Sequence, residues 1–411
     1  MIDKTIFVYS DAQSNNALPV GRLYVELSRG KEIFSFEYDD SWLNSKASYI
    51  MDPDLSLYAG RQYAPLDKTL FGVFMDSCPD RWGKTLMKRR EAINAKLEQR
   101  RPKVLTESDY LLGVYDESRM GAFRYSLEKD GDFLSNDNQL SAPPWTTLRA
   151  LENASLELED KENDNIERWL RLLLAPGSSL GGARPKASVK APDGSLWIAK
   201  FPSRHDEWDS GAWEMVAHDL AKECGLDVPE ARLESFSSYG STYLVKRFDR
   251  NGTQRIHFSS AMALLGKTDG PGSDDASYLD IASFIRSYGS DPRHDLDELW
   301  KRIVFNMSVT NTDDHLRNHG FLLNRKGWHL SPLFDVNPGI YGDHLSLNVN
   351  EVSNLIDLDL AIEASYYFDI DKNTAVKFAA EIFGTVKNRW RKIASSYSIS
   401  RNSIENMSQA F

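Results

Sequence analysis

The chain has 411 residues, 41% of them hydrophobic, and its 49 basic against 60 acidic side chains give a formal net charge of −11. Two or three domains with ordinary cores fit that length, and the acidic balance argues against nucleic acid as a general partner, because phosphate binding draws on Lys and Arg. No apolar run approaches the roughly 18 residues needed to span a bilayer, and "MIDKTIFVYSDAQ" lacks the pattern of a signal peptide, so a cytoplasmic protein with no membrane contact is expected.

Residues 4–75 mix β-branched and aromatic residues in partial alternation ("KTIFVYS", "GRLYVELSRG", "EIFSFEY"), which predicts short strands and turns. "SCPDRWGKTLMKRREAINAKLEQRR" then changes period: Pro79 suits a first helical turn, and Leu86, Arg90, Ile93 and Leu97 form a three-to-four spacing. This helix carries a basic run from Arg81 to Lys103, readable as a solvated face or as a docking patch for an acidic protein or a nucleic acid. The polar stretch "LEKDGDFLSNDNQLSAPPW" is the best linker. Cys78 and Cys224 are too few for a disulfide framework and are read as buried thiols.

Beyond the linker, a short helix and a Gly/Ser-rich loop precede two strand-like runs, "KASVKA" and "SLWIAKF", joined by a Pro-Asp-Gly turn. In "SGAWEMVAHDLAKECGL", Trp213, Val216, Ala217, Leu220 and Cys224 share one helical face and Gly225 ends it; "STYLVKRFDR" reads as a further strand. From about residue 255 helical patterns dominate, including a face of Leu296, Leu299, Trp300, Ile303, Val304 and Met307 that ends near Thr310. The expected division is 1–135, a β-rich subdomain; 136–250, a small α+β lobe; and 251–411, a helical lobe.

The helix ending near Thr310 delivers the chain into "NTDDHLRNHGFLLNRKGWHLSPLFDV". Asp313 and Asn318 are five apart, the spacing of the kinase loop in which Asp accepts or orients the substrate hydroxyl and Asn holds Mg²⁺. A hairpin about Asn324 to Gly327 would lead to Asp335, a second hard oxygen ligand. The plain alternative makes Asp313 and Asp314 turn or cap residues and Asp335 a strand-end turn former. A zinc site on His315 and His319, four apart, lacks the intervening Glu, and Gly320 with the strand-like Phe321 to Leu323 interrupts the helix it needs.

Other parts of an ATP site occur in the expected order. Gly181 and Gly182 precede a strand, allowing backbone N–H groups to approach phosphates, although no Walker A spacing follows. Lys200 ends an apolar strand, Glu214 lies on the next helix as its anchor, and backbone groups near Lys246 and Phe248 would read an adenine edge.

"SSLGGARPKA", "WIAKFPS", "WEMVAHDLAKECGLDVPE", "YLVKRFDR", "TDDHLRN" and "PLFDV" together resemble the HipA-like serine/threonine kinases, toxins of bacterial toxin–antitoxin pairs, and "PDRWGKTLMKRR" and "MGAFRY" resemble their β-rich amino-terminal part. The likeness covers about residues 20–345, most specifically 177–340. It implies an α+β, two-lobed protein-kinase-like fold with a β-rich N-terminal subdomain and a mostly helical C-terminal lobe. By position it implies Asp313 as catalytic aspartate, Asn318 and Asp335 as Mg²⁺ ligands, Lys200 as the phosphate-binding lysine, and backbone phosphate contacts from Leu180, Gly181, Gly182, Ala183 and Arg184. Ser179, or Ser178 beside it, falls where members autophosphorylate, and a dianionic phosphate on a phosphate-cradling loop would oppose ATP binding.

The resemblance also implies ATP and Mg²⁺ as cofactors and a protein substrate of the translation machinery such as an aminoacyl-tRNA synthetase. It implies a separate antitoxin bearing the DNA-binding domain, with DNA contacted only indirectly. The competing reading is a nucleotide-binding module that has lost transfer and acts only as the partner of such an antitoxin. Asp314 departs from the pattern, standing where members usually have a small residue and adding a charge beside the presumed base.

Overall fold

The computed structural model describes residues 2–12, 17–46, 48–134, 142–159, 173, 184–268 and 276–411. The chain forms two compact units, one of Met1–Ser203, Asp249–Ser259 and Gly266–Thr268, the other of Arg204–Phe248, Ser260–Leu265 and Asp269–Phe411.

In the first unit the strands β1 (Ile2–Ser10), β2 (Leu18–Ser28), β3 (Lys31–Tyr38), β4 (Arg61–Tyr63) and β5 (Phe123–Ser126) form an antiparallel five-stranded sheet in the order β4-β3-β2-β1-β5. The alternation seen in the sequence puts Ile6, Val8, Leu23, Val25, Phe34 and Phe36 into one core, which Trp42, Phe71 and Phe74 complete from the connecting segments. Aromatic rings meet edge-on or tilted there, as Phe36 does with Tyr38 at 5.1 Å and Phe74 with Phe123 at 5.9 Å.

Helix α1 (Arg81–Leu97) begins at Asp80, whose carboxylate accepts from Gly83 N–H at 2.7 Å. The same carboxylate meets Lys186 Nζ at 3.1 Å, and Trp82 Nε1 donates to the Lys186 carbonyl at 3.2 Å. The "PDRW" stretch therefore ties the helix start to the strand β6 (Lys186–Lys190). The buried face of α1 differs from the expected one: it runs through Trp82, Leu86, Met87, Glu91 and Ala95, while Leu97 is exposed. Glu91 can occupy a core-facing position because Arg100 and the Lys103 N–H bind its carboxylate, holding its pKa down at about 2. Much of the basic run is spent within the unit, with Lys84 on Glu107, Lys103 on Asp109 and Arg89 on the Leu158 carbonyl.

Helix α2 (Glu107–Gly113) starts with a reciprocal capping box between Thr106 and Asp109, and α3 (Leu148–Glu159) follows the proline pair, where Pro143 accepts from Lys190 N–H at 2.9 Å. The hairpin of β6 and β7 (Leu196–Lys200) forms as the Pro-Asp-Gly turn predicts. Asp193 there accepts from Ser195 N–H at 2.9 Å, and Gly194 takes a positive φ of 83°.

In the second unit, α4 (Ser210–Glu223) buries Trp213, Val216, Ala217 and Leu220 and ends before Gly225 at φ 79°. Strands β8 (Ala231–Glu234) and β9 (Thr242–Lys246) pair antiparallel. The helices α5 (Tyr278–Tyr288), α6 (Pro292–Ser308) and α7 (Lys372–Ser396) follow, with the hairpin of β10 (Gly320–Asn324) and β11 (Gly327–Leu330) between α6 and α7 in sequence. Cys78 is buried as expected, but Cys224 is only half-buried, because the last turn of α4 meets α7 through a long Sγ contact of 3.9 Å to the Ile382 carbonyl rather than sinking into the core. Among the described residues no helix is long and apolar enough to cross a membrane.

Candidate active site

Helix α6 is the platform of the site. Its N-cap Asp291 and first-turn Pro292 start it, and Leu296, Leu299, Trp300, Ile303, Val304 and Met307 are all buried, as the spacing predicts. The same helix also buries the polar side chains of Asp295, Glu298, Arg302, Asn306 and Ser308, which the apolar pattern does not reveal. Glu298 accepts from Arg302 Nε at 2.9 Å and from Asp227 N–H at 3.2 Å; Arg302 donates onward to the Ser331 carbonyl at 2.8 Å. Asp295 accepts from Leu330 N–H at 3.0 Å. These bonds fix β11, and the Leu333 N–H to Asp227 carbonyl bond at 2.7 Å carries the order on to Asp335.

The backbone of Asp335 lies in the left-handed region, at φ 60°. That conformation is uncommon outside glycine, and such residues cluster at functional sites. Nearby, burial raises the Tyr243 hydroxyl far above its ordinary pKa, and the charges of Glu214 and Asp335 add to the effect, so both carboxylates lie within electrostatic reach of this phenol. Phe334 stacks at a tilt on Phe248, 5.5 Å between ring centres.

Between α6 and β10 the chain turns at Thr310, φ 50°, and makes a single 3₁₀ turn at Leu316–Asn318. Asn318 donates its N–H to the His315 carbonyl at 2.8 Å and its side-chain Nδ2 to the Asp313 carbonyl at 3.0 Å. With Nδ2 engaged, Oδ1 is the atom Asn318 has left for a cation, and the Asp313 carboxylate is exposed. Asn318 and Asp335 supply amide and carboxylate oxygens, a donor set that fits Mg²⁺. No group of three or more His, Cys, Asp or Glu able to hold a metal occurs among the described residues, and two protein ligands suit an ion that keeps waters and nucleotide phosphates in its shell.

Asp314 behaves differently from the expectation of a charge beside the base. It is 1% exposed, and its Oδ2 accepts from Tyr278 Oη at 2.5 Å, Asn306 Nδ2 at 2.8 Å and His319 Nε2 at 2.9 Å. Burial works to raise its pKa, but His319 and these hydrogen bonds outweigh it and hold the carboxyl below its usual range. His319 is thereby turned into the interior, so it and His315 do not form a zinc pair. His329 and His344 are ordinary polar positions, the first near the Leu330 carbonyl and the second against Asp343.

The remaining expected residues are distributed as follows. Lys200 ends β7 opposite Lys186 in the first unit, and Arg184 sends its Nε to the Phe201 carbonyl at 3.0 Å. Glu214 is buried on α4 of the second unit. The Lys246 N–H is given to the Glu230 carbonyl at 2.8 Å, so that group is not offered to an adenine edge. Ser178, Ser179, Leu180, Gly181, Gly182 and Ala183 lie outside the described residues.

A family model, the HipA-like C-terminal domain, matches residues 178–390. The chain belongs to the HipA-like family. Among curated relatives it is 31% identical over 179 residues to a provisionally named kinase of Haemophilus influenzae, and 28% identical over 182 residues to the similarly named Y4mE of Sinorhizobium fredii. The matches cover 39% and 38% of this chain and 52% and 41% of those proteins, so the chain spans about half the length of the curated relatives it matches. In structure it is similar to a chain of the Shewanella oneidensis MR-1 toxin–antitoxin complex of HipA, HipB and operator DNA, with a TM-score of 0.67 at 15% identity over 98% of this chain and 94% of that one. The fold is thus the α+β, kinase-like one that the HipA resemblance implies.

Proposed function

We propose that this HipA-like chain is an ATP- and Mg²⁺-dependent protein serine/threonine kinase. The observation that carries the reading is the loop geometry: an exposed Asp313 carboxylate whose own carbonyl is held by Asn318, on a loop delivered by the same helix that fixes the approach to Asp335. Asp313 accepts the proton of the substrate hydroxyl as its oxygen bonds to the γ-phosphorus and the bond to the departing ADP oxygen breaks. Asn318 Oδ1 and Asp335 would hold the metal, which when bound neutralises charge on the β- and γ-phosphate oxygens. By the family resemblance Lys200 would orient the phosphates, and Glu214 and the loop from Leu180 to Arg184 keep the anchoring and phosphate-binding roles that the resemblance implies.

The kinase names of the relatives and the toxin–antitoxin complex of the structural neighbour support a kinase of toxin–antitoxin type; a translation protein such as an aminoacyl-tRNA synthetase is the substrate that the family resemblance implies. The complex of the structural neighbour also supports a separate DNA-binding antitoxin as partner, and we place the pair in the cytoplasm. Autophosphorylation at Ser179 or Ser178 would switch off ATP binding. Incubation of the purified chain with labelled ATP and Mg²⁺, followed by mapping of the phosphate, tests transfer and the acceptor serine together. Label on Ser179 or Ser178 supports the reading, and a chain that binds no nucleotide and transfers no phosphate would remove it.

A further inference from the structure

Asp313 and Asn318, the two loop residues on which the kinase reading rests, are each followed directly by a residue of the buried hub, Asp314 and His319. The 2.9 Å bond between Asp314 Oδ2 and His319 Nε2 therefore closes the loop one residue beyond each functional side chain. We propose that Asp314 is a positioning residue: its carboxylate clasps the loop shut and sets the separation of Asp313 from Asn318. This proposal rests on the kinase reading for its effect on turnover, but the clasp itself is a property of the free chain.

The clasp is anchored on two helices. Tyr278 comes from α5 and Asn306 from α6, and both donate to the same Asp314 oxygen. Asn306 is in turn fixed by Asn311, which donates its Nδ2 to Asn306 Oδ1 at 3.0 Å and its N–H to the Asn306 carbonyl at 2.9 Å. On the far side the His319 carbonyl accepts from Ala261 N–H at 2.7 Å, and the His319 ring meets Tyr278 edge-on at 5.6 Å. Without Asp314 the Asn318 bonds to the His315 and Asp313 carbonyls remain across the loop. A small residue at this position would leave the loop to be held by other means; here a buried carboxylate collects three donors, and its loss would leave those buried donors unsatisfied. Misplacement of about 1 Å at a reacting group costs on the order of a hundredfold in rate, so the clasp is placed where loss of order would be felt in turnover.

The test uses the full chain and the variants Asp314→Ala and Tyr278→Phe, the second removing one donor while keeping the ring. Amide hydrogen exchange of the nucleotide-free protein reads the loop directly. Steady-state kinetics read kcat and the KM for ATP. The expected result for Asp314→Ala is faster exchange confined to about residues 311–320, kcat lowered at least about tenfold, and a KM for ATP within about threefold of the parent. Tyr278→Phe should give a smaller change in the same direction, and it decides the matter if Asp314→Ala does not fold. Unchanged loop exchange would overturn the clasp, as would exchange raised evenly across α5 and α6 as in general destabilisation; faster loop exchange with kcat retained would overturn the positioning role. A parent chain without phosphotransfer would instead defeat the kinase reading, and loop-confined exchange in both variants would then still establish the clasp.

Discussion

The five-stranded sheet of the first unit and the loop-hairpin region of the second are both fixed in place, by opposite means. The sheet is held chiefly by apolar side chains, with Phe36, Phe71 and Phe74 fully buried against one another. The region from Asp291 to Asp335 is held by directed bonds among buried polar groups: Asp295, Glu298, Arg302, Asn306, Asp314 and His319 are all at least nine-tenths buried. Apolar packing is non-directional and tolerates small adjustments. A buried polar network holds one geometry and is costly when a member is lost, which suits a region proposed to aim Asp313, Asn318 and Asp335.

The contrast can be broken most strongly in the apolar region. Phe74→Ala should cost about 3–5 kcal/mol of stability by leaving a cavity beneath the sheet, measured as a shift in denaturant midpoint, whereas Phe74→Leu should cost much less. In the polar region Arg302→Ala should cost about 3 kcal/mol or more, because Glu298 is left buried with its charge unpaired. The double replacement Glu298→Leu with Arg302→Met should recover much of that loss. If the double variant were no better than the single one, Coulombic pairing would not be what holds β11.

A pH titration sharpens the same comparison from inside the sheet unit. His257 packs 4.5 Å from Phe123 and 5.4 Å from Tyr49, and burial pushes its pKa down to about 3. The neutral ring is favoured in the folded chain and the charged one in the unfolded chain. Its contribution is therefore complete above the ordinary value of about 6.5 and is lost as pH falls toward 3, at up to about 1.4 kcal/mol per pH unit. His257→Phe should flatten that acid limb of the stability profile; an unaltered limb would assign it to other groups. The smallest effect on stability is expected at Asp335: Asp335→Gly relieves the left-handed backbone and should stay within about 1 kcal/mol of the parent, while phosphotransfer is abolished.

The apolar architecture was legible in the sequence because its signal is local. The face from Leu296 to Met307, the hairpin at Asn324 to Gly327 and the end of α4 at Gly225 each follow from spacing within a dozen residues. The loop spacing of Asp313 and Asn318 was legible for the same reason. Burial of a charged residue is not local. Asp314 is internal only because Tyr278, Asn306 and His319 arrive from separate elements, and Glu91 lies on the buried face of α1 only because Arg100 folds back onto it. The signal that could have been used was the polar residue at helical spacing on an apolar face, Glu298 with Arg302 four residues on and Asn306 four beyond that.

The central claim, that Asp313 accepts the proton in phosphoryl transfer, is tested most directly by comparing the parent chain with Asp313→Ala in the presence of labelled ATP and Mg²⁺. The Asp313 carboxylate is exposed, so the variant should keep the parent's thermal midpoint while phosphate incorporation falls by about 10²–10⁴-fold. Incorporation at the parent's rate by a folded Asp313→Ala chain would contradict the account.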